Sequence, residues 1–304
     1  MNSYLPITPD VVWIGVNDRH TTLFEELWPL PRGVTYNSYL ILDEKIAIVE
    51  TVKSLGTEGF LDKIRAALPP TRTPDYLVID HMEPDHSGSI RMLREAYPNL
   101  AIVGNQKTAT FLADFYGIED NLHIVGDGDV LDLGRHKLQF HLTPMVHWPE
   151  TMMTYDTTSK ILFSGDAFGG FGALTGGIFD DEVDIEYFED EILRYFSNIV
   201  GKYCSTVQKA IQKLAGVDIG IIAPTHGPVW REDPGHIVQL YDRWSRHEAE
   251  EGVVMVYGSM YGNTESMMEA VAKGLSEENL SRVRIHSVAC THLSYLIRDR
   301  KSVV

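Results

Sequence analysis

Cysteine is almost missing from this sequence of 304 residues: only Cys204 and Cys290 occur, and neither belongs to a Cys-x-x-Cys pair. That excludes a disulfide framework, a thiolate metal cluster and dithiol redox chemistry. Long apolar runs are missing too, since nothing approaches the roughly 20 residues needed to cross a bilayer. The opening Met1-Asn2-Ser3-Tyr4-Leu5-Pro6 places no basic segment ahead of an apolar one, so no membrane association and a cytoplasmic location are expected. Positive charge is scarce, with 26 Lys and Arg against 43 Asp and Glu and a net charge of −17. Such a surface repels nucleic acid and anionic membranes. It suits a positively patched protein partner or a small neutral substrate, and it serves solubility equally well.

The apolar content, 44%, is ample for one large domain and part of a second. From Val11 to about Val229 short apolar runs alternate with turn signals and a few amphipathic segments, which predicts an α/β layered fold. Tyr36–Leu42 and Ile46–Val49 flank Asp43-Glu44-Lys45 as a tight hairpin. Further strands are predicted at 100–103, 137–142, 151–155, 161–164 and 219–223, and helices at 56–67, 106–116 and 185–214 with a break near Gly201. The charged stretch Gln239–Gly252 reads as a helical junction. After it come an apolar strand, Val253–Tyr257, a small-residue loop, Gly258–Thr264, and a helix, Glu265–Leu275. Strand, loop and helix in that order build an anion site, to which Ser259 and Thr264 add hydroxyls.

The densest chemistry lies in His81-Met82-Glu83-Pro84-Asp85-His86, directly after the apolar run Tyr76–Ile79. His81 and Glu83 are two apart and in an extended segment project to one side. Pro84 keeps Glu83 extended, while Asp85 and His86 follow in the turn, so one loop could serve two metal ions. Ser87-Gly88-Ser89 then leads through a capping residue into a helix, Ile90–Tyr97. Three more candidate ligands each follow a strand-like run: His147, Asp166 and His226. Singly, a histidine is more often a satisfied polar residue than a ligand, and Asp166 also suits an ordinary turn.

Four stretches taken together, His81–Ser89, His147–Met152, Ser164–Gly169 and Pro224–Pro228, resemble the ordered motifs of the flavodiiron proteins, or A-type flavoproteins. The resemblance implies an αββα metallo-β-lactamase-like sandwich over residues 1–250, followed over 251–304 by the start of a flavodoxin-like doubly wound domain. Tyr257–Thr264 is similar to that domain's phosphate loop, which implies flavin mononucleotide (FMN) held by Ser259, Met260, Tyr261, Gly262, Asn263 and Thr264. It further implies two irons: His81, Glu83 and His147 for one, Asp85, His86 and His226 for the other, and Asp166 bridging. The implied activity is reduction of O2 to water or of NO to N2O. Electrons would come through FMN from a donor such as rubredoxin, a flavin reductase or a reduced deazaflavin, in a head-to-tail homodimer. Tyr195 corresponds to a tyrosine whose hydroxyl points toward substrate, or equally to a packed aromatic on a helix face. Trp148 is expected to orient His147 by packing.

The nearest rival is a dinuclear zinc hydrolase of the same fold, a thioesterase or glyoxalase II-like enzyme. Such enzymes carry His-x-His-x-Asp-His, and this sequence has Glu83 at the second position. A carboxylate there adds charge and an oxygen ligand, which favours iron over zinc. A third reading is a flavodoxin-like electron carrier with a structural metal domain. The flavodoxin-like pattern supplies only about two of five expected strands before Val304, so FMN retention is expected to be weak. An isolated fragment of a parallel sheet is expected to be marginal.

Overall fold

A computed structural model of the chain describes residues 4–248 and 251–302. Two sheets lie at its centre. The larger has seven strands in the order Leu5–Pro6, Val11–Trp13, Tyr39–Ile41, Ala47–Val49, Tyr76–Val78, Ala101–Gly104 and Leu122–Ile124. Tyr39–Ile41 and Ala47–Val49 pair antiparallel as the expected hairpin, and the later strands run parallel. Parallel neighbours need crossovers, and the helices Thr57–Ala67, Ile90–Ala96 and Gln106–Phe111 provide them. The second sheet is Val130–Asp132, Lys137–Leu142, Met152–Asp156, Ile161–Phe163 and Ile221–Ala223. Its first four strands form an antiparallel meander, and the fifth joins parallel after a long helical excursion.

Burial explains the sequence pattern. Val11–Trp13, Tyr39–Ile41, Ala47–Val49, Met152–Asp156 and Ile161–Phe163 are buried at every position. These strands are therefore covered on both faces, and all but Met152–Asp156, which buries Thr154 and Asp156, read as continuous apolar runs rather than as alternation. Tyr39 of one sheet meets Phe163 of the other with ring centroids 5.1 Å apart. Asp80 stitches the sheets together: its backbone oxygen accepts from Met152 N at 2.9 Å and its Oδ1 from Thr154 Oγ1 at 2.6 Å.

The predicted helix 185–214 is broken as expected, into Ile185–Tyr195, a wider turn Phe196–Val200, a tight turn Gly201–Tyr203 and Cys204–Leu214. Three details differ. Tyr36 belongs to a separate strand, Val34–Tyr36, paired with Val16–Asp18, because Asn37 and Ser38 divert the chain. Ser89 precedes its helix without capping it; its hydroxyl donates to Val52 O at 2.8 Å, so a tertiary bond displaces the local one. The helix expected from Gln239 starts earlier, at Pro234, where Asp233 caps it by accepting from His236 N, and it ends at Ser245. Ala249 and Glu250 of the predicted junction lie outside the described residues.

Beyond the junction, Val253–Tyr257 and Val283–Ser287 pair parallel, with the helices Asn263–Glu277 and Leu293–Ser302 following each strand. Asn263–Glu277 has no buried residue. Leu293–Ser302, by contrast, packs on Ile185–Tyr195 and on the turn after it. Among the described residues, no helix is long and apolar enough to cross a membrane.

Candidate metal centre

The seven predicted ligands come from four chain segments, and the fold brings them together as two adjoining groups: His81, Glu83, His147 and Asp166, and Asp85, His86 and His226. Each segment sits just past the end of a strand, where loops collect. The strand Tyr76–Val78 ends before His81, Lys137–Leu142 before His147, Ile161–Phe163 before Asp166, and Ile221–Ala223 before His226. Glu83 keeps an extended backbone (φ −56°, ψ 137°), and Pro84 opens a single helical turn, Pro84–Ser87, that carries Asp85 and His86. Proline suits that first position, because its missing N–H has no partner there in any helix.

Asp166 links the groups. Its Oδ2 lies 3.0 Å from His147 Nε2, and its Oδ1 lies 3.4 Å from His81 Nε2, 3.2 Å from His86 Nε2 and 3.6 Å from His226 Nε2. Glu83 Oε2 stands 2.8 Å from His147 Nε2, and Asp85 Oδ2 stands 3.2 Å from His86 Nε2 and 3.3 Å from His226 Nε2. Every one of these groups is buried except His147, which is partly exposed.

Charge runs through the cluster accordingly. Burial alone would lower the imidazoles, but the neighbouring carboxylates outweigh it: Asp85 and Asp166 raise His86 to about 10, and Asp166 and Glu83 raise His147 to about 9. His81 is held well above its ordinary value by Asp166, Glu50 and Glu83 against the same burial. Burial pushes the carboxyls up, yet the imidazoles hold Asp85, Asp166 and Glu83 below the usual range.

The fit to metal rests on where the donor atoms point. Both oxygens of Asp85 and both ring nitrogens of His81 are buried without an aligned hydrogen-bond partner, although neighbours stand within ion-pair distance. Buried polar atoms are rarely left so. His81 Nε2 lies among the cluster's carboxylates and Asp85 Oδ2 among its imidazoles, while His81 Nδ1 lies toward Glu50 at 3.8 Å. A set of four imidazoles and three carboxylates suits a pair of divalent or trivalent ions.

Surrounding residues hold these side chains. His226 Nδ1 bonds to Thr35 O at 2.6 Å, which turns Nε2 inward. Thr225 Oγ1 donates to Asp166 Oδ1 at 2.6 Å. Glu50 Oε1 accepts from the backbone of Asp80 at 2.7 Å and of His81 at 3.2 Å, and Glu150 Oε1 accepts from Met82 N at 2.7 Å. From the sequence alone Thr35, Glu50, Thr225 and Glu150 had no assigned role; Glu150 and Thr225 lay within the motif stretches His147–Met152 and Pro224–Pro228, and Glu50 carried only its place after an apolar strand. Glu50, Met145 and Phe168 all hold positive φ, at 62°, 66° and 68°. Non-glycine residues are strained in that region, and these three flank or support the ligand loops.

An aromatic wall closes the centre. Phe24 and Tyr36 meet the His226 ring at centroid distances of 5.4 and 5.6 Å, and Tyr195 does so at 5.5 Å. The Tyr195 and Tyr36 hydroxyls are buried with no aligned hydrogen-bond partner. Burial first, then the carboxylates of Asp166 and Glu83, push Tyr195 well above its ordinary value, so its proton stays in place. Trp148 packs edge-on against Phe111 at 6.0 Å. The phosphate-loop candidates stand apart from this centre in sequence: Met260 and Tyr261 are exposed, Ser259 Oγ accepts from Gly262 N at 3.0 Å, and Gly262 takes φ 85°. Asn263 and Thr264 already belong to the first turn of the following helix.

The family described as ODP family beta lactamase matches residues 34–227. The nitric oxide reductase of Moorella thermoacetica is 35% identical over 279 residues, covering 90% of this chain and 69% of that protein. An anaerobic nitric oxide reductase flavorubredoxin of Pectobacterium atrosepticum is 35% identical over 290 residues, with 92% of this chain matched to 56% of that one. Among solved structures, the rubredoxin oxygen:oxidoreductase of Desulfovibrio gigas superposes with a TM-score of 0.93 at 30% identity, over 99% of this chain and 75% of its own.

Proposed function

This chain belongs to the flavodiiron protein family, and from that premise we propose that its seven-residue cluster holds two irons at which O2 or NO is reduced. The observation that carries the reading is Asp166, whose two oxygens face the imidazoles of both groups as a bridging carboxylate requires. His81, Glu83 and His147 would hold one ion, and Asp85, His86 and His226 the other. Glu83 stands where a zinc hydrolase places histidine, and this hard oxygen donor favours iron. When bound, the irons supply the electron transfer and the open positions for a diatomic substrate.

The chain's own residues do the rest. Thr35 and Thr225 hold His226 and Asp166 in place through hydrogen bonds, which orients two of the donors. Phe24, Tyr36 and Tyr195 exclude water from one side of the centre. The Tyr195 hydroxyl, buried and held protonated beside the Asp166 carboxylate, is placed to donate to a substrate oxygen. The comparisons support an oxidoreductase at the family level, and the three proteins named above are each longer than this chain.

We propose further that residues 1–250 form the metal domain and that Ser259–Thr264, in 251–304, hold the phosphate of FMN. The αL glycine and the N-terminus of Asn263–Glu277 suit an anion there. Electron supply by rubredoxin or a flavin reductase, and a head-to-tail homodimer, complete the proposal. Metal analysis with optical spectra of aerobically purified protein tests it, together with O2 and NO consumption driven by a chemically reduced flavin. Two irons per chain and gas consumption are expected. Two zincs with esterase activity would overturn the reading.

A further inference from the structure

Arg194 is fully buried beside Tyr195, and its guanidinium is used in every direction. Nε and Nη2 donate to Glu191 Oε2 at 3.1 and 2.5 Å. Nη2 also donates to Pro29 O at 2.9 Å, and Nη1 to Ser294 Oγ at 3.3 Å. The plane stacks on Phe171 at 4.4 Å and on Tyr295 at 5.0 Å. These partners belong to four different parts of the chain, one of them the helix of Arg194 itself.

Pro29 ends the small hairpin Leu23–Phe24 with Trp28–Pro29, whose Phe24 ring covers His226. Glu191 and Arg194 belong to the helix whose last residue is Tyr195, and Phe171 packs on the Tyr195 ring at 5.0 Å. Ser294 and Tyr295 belong to Leu293–Ser302, beyond the candidate phosphate loop. The same junction holds two more contacts: Asn198 Nδ2 donates to Ser294 O at 3.1 Å, and Trp28 meets His292 at 6.1 Å. Arg298 reaches Asp190 at 3.6 Å. Only a planar fork can serve an acid, a carbonyl and a hydroxyl at once while stacking between two rings; an ammonium cannot.

We propose that Arg194 is a positioning residue that couples the docking of the 292–299 segment to the candidate metal centre. It acts through the Phe24 hairpin on one side and the Tyr195 helix on the other. Occupancy of the centre and docking of the C-terminal segment are then linked, and the linkage is reciprocal. The part of the chain that carries the candidate phosphate loop thereby reports to the centre through a contact distinct from that loop. This inference rests on the metal reading above.

Co2+ added to the metal-free full chain tests it, with uptake followed by its visible absorption and backbone protection by hydrogen exchange. In the unaltered chain, binding should slow exchange across 293–299 by roughly tenfold, within the lower part of the usual coupling range. Arg194→Met should bind Co2+ yet lose that response, and Arg194→Lys should not restore it. Ser294→Ala, which removes the contacts with Arg194 Nη1 and His292 Nδ1, and Asn198→Ala, which removes those with Ser294 O and Arg194 O, should show reduced responses and keep the proposal testable if Arg194→Met fails to fold. Co2+ uptake with no change at 293–299, or an equal change in all variants, overturns the coupling alone. A chain that takes up no Co2+ overturns the metal reading and the coupling together.

Discussion

The backbone oxygen of Thr35 lies 2.6 Å from Nδ1 of His226, and the Thr35 hydroxyl accepts from the next residue's backbone, Gly227 N, also at 2.6 Å. One residue of the strand Val34–Tyr36 therefore fixes both the ring tautomer and the backbone of a candidate ligand. Gly227 holds φ 73°, and a Cβ there would stand 3.2 Å from Gly170 N and 3.3 Å from Gly170 O. Gly227→Ala should cost about 1–2 kcal/mol from the left-handed backbone alone, read as a lower midpoint in denaturant. It should also weaken metal at the His226 side, read as fewer ions retained on dialysis.

Glu83→His recreates the ligand order of a zinc hydrolase. Glu83 Oε2 lies 2.8 Å from His147 and 3.7 Å from His81, so the new imidazole would face two others without the compensating charge. Expression in iron-supplemented medium followed by elemental analysis should give a lower iron-to-zinc ratio and at least tenfold slower gas consumption, on the order of the loss expected when a ligand is altered. Unchanged iron content would count against the role given to the carboxylate.

Metal uptake should release protons. In the metal-free chain His86 and His147, raised to about 10 and about 9, are protonated at pH 7, and an ion must displace those protons. Apparent affinity should therefore rise with pH from 7 through 9 to about 10 and then level off. For the metal-free fold the sign is opposite: raised histidines stabilise most below their unfolded value and lose that contribution as pH passes 9 to 10. Calorimetry of metal binding in buffers of different ionisation enthalpy measures the first effect, and thermal melting of the metal-free chain the second.

Tyr195→Phe separates chemistry from packing. The hydroxyl is buried without an aligned hydrogen-bond partner, with the Asp166 carboxylate nearby, so its removal should be close to neutral, within about 1 kcal/mol. The ring contacts with Phe171, Phe24 and His226 remain. Melting temperature should hold while turnover with O2 or NO falls. A variant with full turnover would make Tyr195 only a packing residue.

Much of the candidate centre was legible because its ligands are local in sequence or punctuated by strand ends. His81–His86 is one loop, and a proline after Glu83 marks where extended backbone becomes helix. His147, Asp166 and His226 each follow an apolar strand, and the strand periodicity fixed where loops had to gather. The carboxylate at position 83, where a zinc hydrolase has histidine, is the sequence feature on which the expectation of iron rests.

Tertiary structure alone decided what holds those residues. Thr35, Glu50 and Glu150 reach the ligand loops across sequence separations that no local pattern encodes, through backbone groups whose partners depend on sheet order. Ser89 had the makings of a helix cap, but the nearby Val52 carbonyl took its hydroxyl. Arg194 read as an ordinary charged helix residue, and only packing made it a buried junction of three segments. The sequence by itself determined the candidate donor set and the α/β layering, because side-chain chemistry and hydrophobic period are properties of short segments. Its supports were decided by the fold, because a hydrogen bond or stacked ring between distant segments exists only once both have been placed.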